Sequence, residues 1–507
     1  MPISLRHRWL ALRAVIALTL ITPVGSAQVH YDSSGHPWKQ RATAGPDAEV
    51  PGWYYNLGLT GMRVELVESS PTHLVVRHVF AGTPAHPSVR VGDHILGAGG
   101  RRFETPHRNG YGMDVFGPAG PLLDFANALE TCQGEAGDGK LALELLREDK
   151  PLKVSLEIGK RYGAFASGFP ADCKKSERIL GELLALLLEA QHDDGSFGDP
   201  VVNTFAPLAL LASGSREHMA AAERNVRFHA RTTKAQDKDS LINWRYMTAA
   251  IVMSEFQSTT GERWPLAELQ EVRDFLVFSQ YMSLDQVSPR VRESHPGSYP
   301  KDARQQHGGW GHNTGFEGYG PIAMLTGQGA LSLSLMQHCG VDIDRVRLDA
   351  ALGFLERGAG KNGYVWYADD VAGDSNWADM GRTGAAGIAL RLNPWPDATT
   401  RARSLRHALV IGEHPESFPD THGSPILGMG YAAMAANVDA TSFRRLMDAN
   451  RWWFALAQCA DGSFYYQPNR DNAGYGEDSR LSASAVTAFM LSIPKQNLLV
   501  TGRTRKL

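Results

Sequence analysis

Three polar residues stand where apolar helices are predicted to begin: Asp379, Arg382 and His422. Asp379 and His422 open stretches rich in Ala, Gly and Leu, and Arg382 follows Asp379 by about one turn, on the same helix face. A carboxylate, a guanidinium and an imidazole brought together could move a proton or hold an anion. A helix N-terminus also favours a negative group at such a place. The loops that lead into these helices carry Trp310, His312, Glu317, Tyr319, Trp366, Tyr367, Trp377, Tyr465, Tyr466, Arg470, Tyr475 and Asp478. Aromatic faces stack on sugar rings, and paired carboxylates cleave glycosidic bonds, so carbohydrate chemistry is one expectation. The same residues could instead clamp repeats together or fill the ends of a helical stack. Asp369-Asp370, beside Asp374, reads as a solvated turn. The chain has no GxSxG elbow, phosphate-binding P-loop or HExxH pair, which removes support for serine hydrolase, nucleotide and zincin chemistry.

The elements that must position these groups repeat. Gln191-His192-Asp193-Asp194-Gly195-Ser196-Phe197 and Gln458-Cys459-Ala460-Asp461-Gly462-Ser463-Phe464 follow apolar helices predicted over Ile179–Ala190 and Phe443–Ala457. They precede helices over Phe205–Ala212 and Leu481–Ile493. Weaker copies lie before helices at Asn243–Phe256, Ile322–Met336, Gly384–Leu392 and Ile426–Ala436. About six helical hairpins result. Units of this kind must stack or close to bury their apolar faces. The small residues on the second helices predict a closed α6/α6 toroid with those helices inside; an open superhelix is the alternative.

Before the repeats the pattern is strand-rich. Met62–Val67 alternates with period two, His73–Phe80 holds a second strand, Leu122–Leu129 is a short amphipathic helix, and Leu141–Arg147 and Leu152–Ile158 are the last strands. The predicted organisation is a signal peptide at 1–27, a linker at 28–50, a small β-rich domain at 51–161, a linker at 162–176, the all-α toroid at 177–495 and a tail at 496–507.

Two resemblances attach to these residues. Leu57-Gly58-Leu59-Thr60-Gly61, Gly82-Thr83-Pro84-Ala85 and Val91-Gly92-Asp93-His94-Ile95-Leu96 together resemble a bacterial periplasmic PDZ domain, with a long departure between Glu104 and Pro121. The resemblance implies that backbone N–H groups of Leu57, Gly58, Leu59 and Thr60 receive the C-terminal carboxylate of a peptide or protein partner. Phe125 and Leu129 would wall the pocket for its last side chain. The Gln-x-x-Asp-Gly-Ser-Phe repeat is similar to those of terpenoid cyclase and protein prenyltransferase toroids. That likeness implies the fold, whereas the chemistry must be sought in the site. Gly381 stands where the prenyltransferase zinc thiolate would be, and neither Cys339 nor Cys459 has the Gln three residues on that a thioester motif needs. No metal site and no cofactor is therefore expected, and isoprenoid chemistry is the weakest of the enzyme readings. As a whole the chain resembles bacterial secreted proteins of unassigned function. The first expectation is a binding protein, with a peptide at the PDZ-like groove and a ligand in the toroid. The alternative is an enzyme on extracellular carbohydrate, a lyase or hydrolase.

Composition agrees with a globular protein. The 507 residues hold 51 Lys plus Arg against 54 Asp plus Glu, a net charge of −3. Nothing in that balance favours nucleic acid. Arg6, His7, Arg8 and Arg13, the apolar run to Val24 and Gly25-Ser26-Ala27 read as a cleaved secretory signal with Gln28 as the mature start. That predicts a periplasmic or secreted protein with no later membrane segment. In that compartment Cys132 and Cys173 could pair, or all four cysteines could stay buried thiols.

Overall fold

The computed structural model describes residues 54–110, 117–234, 240–297, 299–316, 319–371, 380–419, 425–467 and 480–504. The first unit is a β-sheet covered by one helix. Its strands are β1 (Tyr55–Asn56), β2 (Met62–Glu65), β3 (Leu74–Val79), β4 (His94–Ala98), β5 (Arg101–Arg102), β8 (Lys140–Arg147) and β9 (Lys150–Glu157), while β6 (Arg108–Gly110) and β7 (Gly117–Ala119) make a separate pair. The sheet order is β1-β2-β3-β4-β8-β9, with β5 hanging from β4. Alternation in β8 turns Leu141, Leu143 and Leu145 inward, where Phe125, Ala126 and Leu129 of α1 (Pro121–Gln133) complete the core. Leu57–Thr60 forms a tight turn before β2, with Gly58–Thr60 a short 3-10 helix and Gly58 at φ +65°.

The second unit is helical. Six helices are buried almost all round: α3 (Pro200–Ser213), α5 (Ile242–Thr260), α8 (Ala323–His338), α10 (Met380–Arg391), α12 (Pro425–Ala436) and α15 (Arg480–Ser492). Each packs on the next, and α15 packs on α3, so the ring closes. Six others, α2 (Lys174–Ala190), α4 (Arg216–Thr232), α6 (Pro265–Ser279), α9 (Arg345–Arg357), α11 (Ala398–Glu413) and α13 (Ala440–Ala449), form the outer layer. The outer helices are one-sided. In α4, for example, Ala221, Ala222, Asn225, Val226, His229 and Ala230 are buried and the opposite face is solvated.

Glycine sets the tightness of the inner ring. A methyl group at Gly384 of α10 would overlap the Tyr431 backbone of α12, and one at Gly381 would sit 2.5 Å from the Gly428 Cα. At this level the middle of the ring is filled. The Phe205 ring of α3 reaches across to Gly430 of α12 and packs on Tyr431 and Phe489, with centroids 6.0 and 5.2 Å away.

The repeated loops have one geometry. Gly195, Gly363 and Gly462 lie at φ +88°, +92° and +87°, each preceded by an Asp or Asn whose Oδ1 accepts the next-but-one backbone N–H. His192 N–H donates to the Ser196 carbonyl, Gly360 to Tyr364, and Cys459 to Ser463, at 2.8–2.9 Å. A polar side chain early in the following inner helix then accepts a loop N–H: Asn203 from Phe197, Thr326 from Trp310, Thr383 from Val365 and Ser484 from Phe464. The third copy is split. Tyr281 exchanges backbone bonds with Gly308 and Gly309, and Gly308 at φ +89° takes the glycine role, so residues 282–307 are an insertion in the loop. The insertion holds α7 (Pro289–Ser294), and its Val287, Val291 and Tyr299 form a small core with the flanking Tyr281 and Phe316.

The helix expected over Phe443–Ala457 is two helices, α13 and α14 (Arg451–Ala457), broken at Asn450. The break turns α14 toward the β-unit, where it packs on α1 and on the Leu57–Thr60 turn. Asn56 joins the two units on three sides. Its backbone N–H and carbonyl bond the Gln467 side-chain amide at 3.0 Å each, and its Nδ2 donates to the Leu456 and Gln458 carbonyls at 2.6 and 3.1 Å. The Arg63 guanidinium lies 4.1 Å over the Tyr465 ring, and Tyr465 Oη donates to the Tyr54 carbonyl at 3.0 Å. The connection at 162–173 is packed as well: Phe165 and Phe169 are buried, and Arg451 bonds the Phe165 and Ala166 carbonyls. The Cys132–Cys173 pairing is not formed; all four cysteines are buried thiols.

Candidate functional site

The loops between hairpins bring aromatic side chains to the N-terminal ends of the inner helices, the mouth of the ring. Trp244, in the first turn of α5, donates from Nε1 to His312 Nδ1 at 2.9 Å, and the two rings stack with centroids 6.0 Å apart. That bond assigns the imidazole proton to Nε2. The His312 ring is 5.2 Å from Tyr319, which is 61% exposed. Tyr319 and Tyr367 share a hydrogen bond through their hydroxyls. The Arg382 guanidinium lies 5.5 Å over the Tyr367 ring and donates to Tyr364 Oη at 2.6 Å. Four aromatic rings thus run from α5 across the mouth to α10, where they end on a buried cation.

Arg382 breaks the register of its repeat. It immediately precedes Thr383, the residue that anchors its loop, and the matching positions beside Asn203, Thr326 and Ser484 hold Val202, Leu325 and Ala483. A charged group there desolvates at a cost that an apolar residue avoids, and the two tyrosines offset it. Asp379 and His422, expected to converge with Arg382, lie outside the described residues, as do Glu317, Trp377, Arg470, Tyr475 and Asp478. The helices that Asp379 and His422 adjoin in sequence, α10 and α12, are direct neighbours. Gly381 serves that contact and has no room for a side chain. No group of three His, Cys, Asp or Glu among the described residues is placed to hold a metal ion, and no described helix is long and apolar enough to cross a membrane.

Asp369 is not a free acid. Its carboxylate is held by the Arg357 guanidinium at 2.9 Å and by the Gln306 N–H at 2.7 Å. The residues expected to bind a peptide are all buried: Leu57, Gly58, Leu59 and Thr60 in the turn, Phe125 and Leu129 on α1. A Cβ at Gly58 would meet Leu129 and, at 2.6 Å, the Ala455 carbonyl of α14. Helix α14 therefore covers the turn that sequence offered to a carboxylate.

Residues 176–502 match the family described as "Domain of unknown function (DUF6288)". The chain belongs to that family. The match runs from the first turn of α2 past the end of α15 in this DUF6288 protein and stops short of its β-unit. No curated protein matches the chain. Among solved structures, an inactive variant of an alpha-1,6-mannanase of Salegentibacter sp. in complex with alpha-1,6-mannotriose is similar at TM-score 0.44 and 11% identity, covering 62% of this chain and 99% of that one. The Lin0763 protein from Listeria innocua is similar at TM-score 0.43 and 10% identity, covering 62% of this chain and 96% of that one. A protein from Actinoplanes is similar at TM-score 0.41 and 12% identity, covering 63% and 99%.

Trp244 was not among the residues expected to matter. Its signal in the sequence was an aromatic at the start of an inner helix rather than in the loop before it.

Proposed function

We propose that the DUF6288 ring binds a carbohydrate at its mouth and acts on it there. The observation that carries this reading is the run of Trp244, His312, Tyr319 and Tyr367 ending on Arg382. A sugar offers apolar C–H faces to such rings and hydroxyls to a guanidinium. In this reading Asp379 and His422 supply proton transfer and Arg382 orients or neutralises the carboxylate. The β-unit we read as PDZ-like, from the order of its three motifs. With α14 over the turn and Gln467 along β1, it serves as a brace for the ring and takes its ligand from its own chain. We place the mature protein in the periplasm or outside the cell, beginning near Gln28; intact mass of exported protein retaining residues 1–27 would overturn that placement.

Native affinity electrophoresis in gels cast with single polysaccharides tests the main reading. At least one of mannan, xylan, starch, β-glucan and an acidic glycan should retard the wild type, and Tyr319→Ala and Arg382→Met should migrate faster in that gel. Tyr319 is exposed, so its replacement leaves the fold intact. Absence of retardation in every gel, or equal retardation of both variants and wild type, would overturn the reading.

A further inference from the structure

The inserted loop 282–307 builds a second concavity beside the mouth. It is a cleft of about 590 Å³ between the insertion and the Ala368–Asp370 turn, lined by Tyr299, Lys301, Asp302, Arg304, Gln306 and Arg357 among others. Two of its lining residues adjoin the aromatic wall. Ala368 follows Tyr367 in the chain, and Gln306 lies directly against Gly320, next to Tyr319. The floor is fixed: Asp369 accepts from Arg357 and Gln306, and Arg357 also donates to the His307 carbonyl at 2.7 Å. Gln306 is held at φ +61°, a left-handed conformation costly for a side-chain-bearing residue, and its buried Oε1 has no hydrogen-bond partner among the described residues. The rim groups are unspent. Among the described residues, Arg304 and Asp370 are exposed with no ion pair, and Asp302 Oδ1 accepts only from the N–H groups of Arg304 and Gln305.

A cleft of this size with as many cations as carboxylates suits an uncharged ligand rich in hydroxyls, which needs donors and acceptors in equal measure. We infer that the insertion adds a saccharide subsite, so that the ring takes a chain of sugar residues running from the Tyr319–Tyr367 wall into this cleft, and not a single sugar. The inference rests on the carbohydrate reading above and names the kind of carbohydrate: a neutral oligosaccharide bound along its length.

Isothermal titration of the full-length protein with neutral gluco-, manno- and xylo-oligosaccharides, from disaccharide to octasaccharide, tests it. In the series that binds, affinity should rise about tenfold or more with length and then level off, since each buried residue of the chain adds contacts. The double variant Arg304→Ala, Asp370→Ala removes two exposed side chains that have no side-chain partner among the described residues. It should bind the octasaccharide about tenfold more weakly and the shortest binding member unchanged. Equal affinity for short and long members in the wild type, or a double variant that binds both as the wild type does, overturns the subsite and leaves the carbohydrate reading standing. Absence of binding by every member overturns the neutral-oligosaccharide subsite, and together with absence of retardation in every polysaccharide gel it overturns the carbohydrate reading as well.

Discussion

Single residues carry the repeat. Gly308 is the sharpest case: φ is +89° and a Cβ would overlap the Ala350 carbonyl of the next outer helix. Gly308→Ala should cost about 2–4 kcal/mol, the left-handed penalty plus a backbone clash, read as the urea midpoint. Gly261→Ala, also at positive φ (+76°) but with open space around it, should cost only the conformational part, about 1 kcal/mol. Two buried titratable groups pull stability in opposite directions with pH. Burial lowers His407 to about 4 from 6.5, against the opposing bond of its Nδ1 to the Gly363 carbonyl at 2.7 Å. The unfolded chain binds that proton first, so stability falls as pH drops from 6.5 toward 4. Burial raises Glu255 to about 7 from 4.5, although its carboxylate accepts the Leu499 and Val500 N–H groups. Here the folded protein binds the proton first, and stability falls as pH rises from 4.5 to 7. Denaturation series should show the acid-side slope flattened in His407→Gln and the neutral-side slope flattened in Glu255→Gln.

At the scale of elements, the inner ring tolerates no added volume. Gly384→Val should lower the melting temperature by several degrees, or prevent folding, because α10 and α12 must part to admit it. Gly353→Val on the outer helix α9, where the nearest atom to an added Cβ is 3.6 Å away, serves as the control and should cost about 1 kcal/mol or less. This contrast also explains what was legible beforehand. Inner helices announce themselves as long Ala, Gly and Leu runs, and the period-two strands of the β-unit and its helix appear within a few residues of where they were expected. The outer helices were harder to see, since α4, α9 and α11 alternate charge with apolar residues. The break at Asn450 was invisible, because Phe443–Ala457 is apolar enough to read as one helix and only the β-unit gives α14 a reason to turn. In the site, Arg382 was legible as a charge in an apolar register. Trp244 was not, because its meaning comes from His312, 68 residues away.

The whole molecule is one mechanical body rather than two tethered domains. Asn56 and Arg63 each make contacts across the boundary between the β-unit and the ring, and Arg451 ties the connection at Phe165 and Ala166 to α14. Calorimetry should therefore give a single unfolding transition, and a chain starting at residue 174 should be less stable than the full protein or insoluble. Asn56→Ala should cost about 2–4 kcal/mol by stranding the Leu456 and Gln458 carbonyls and removing the Oδ1 that accepts from Arg63, while the backbone bonds to Gln467 remain. Two separate transitions, with the ring melting alone at its usual temperature, would contradict this. Closure of the ring has a consequence in time. α3 finds its permanent neighbour α15 only after some 280 further residues have been made, and until then its flank is an open apolar wall. Contacts so distant along the chain form slowly and leave the nascent protein prone to aggregate. A ribosome that stops short of α15 leaves every earlier hairpin without closure, so chains truncated before residue 480 should be recovered in the insoluble fraction.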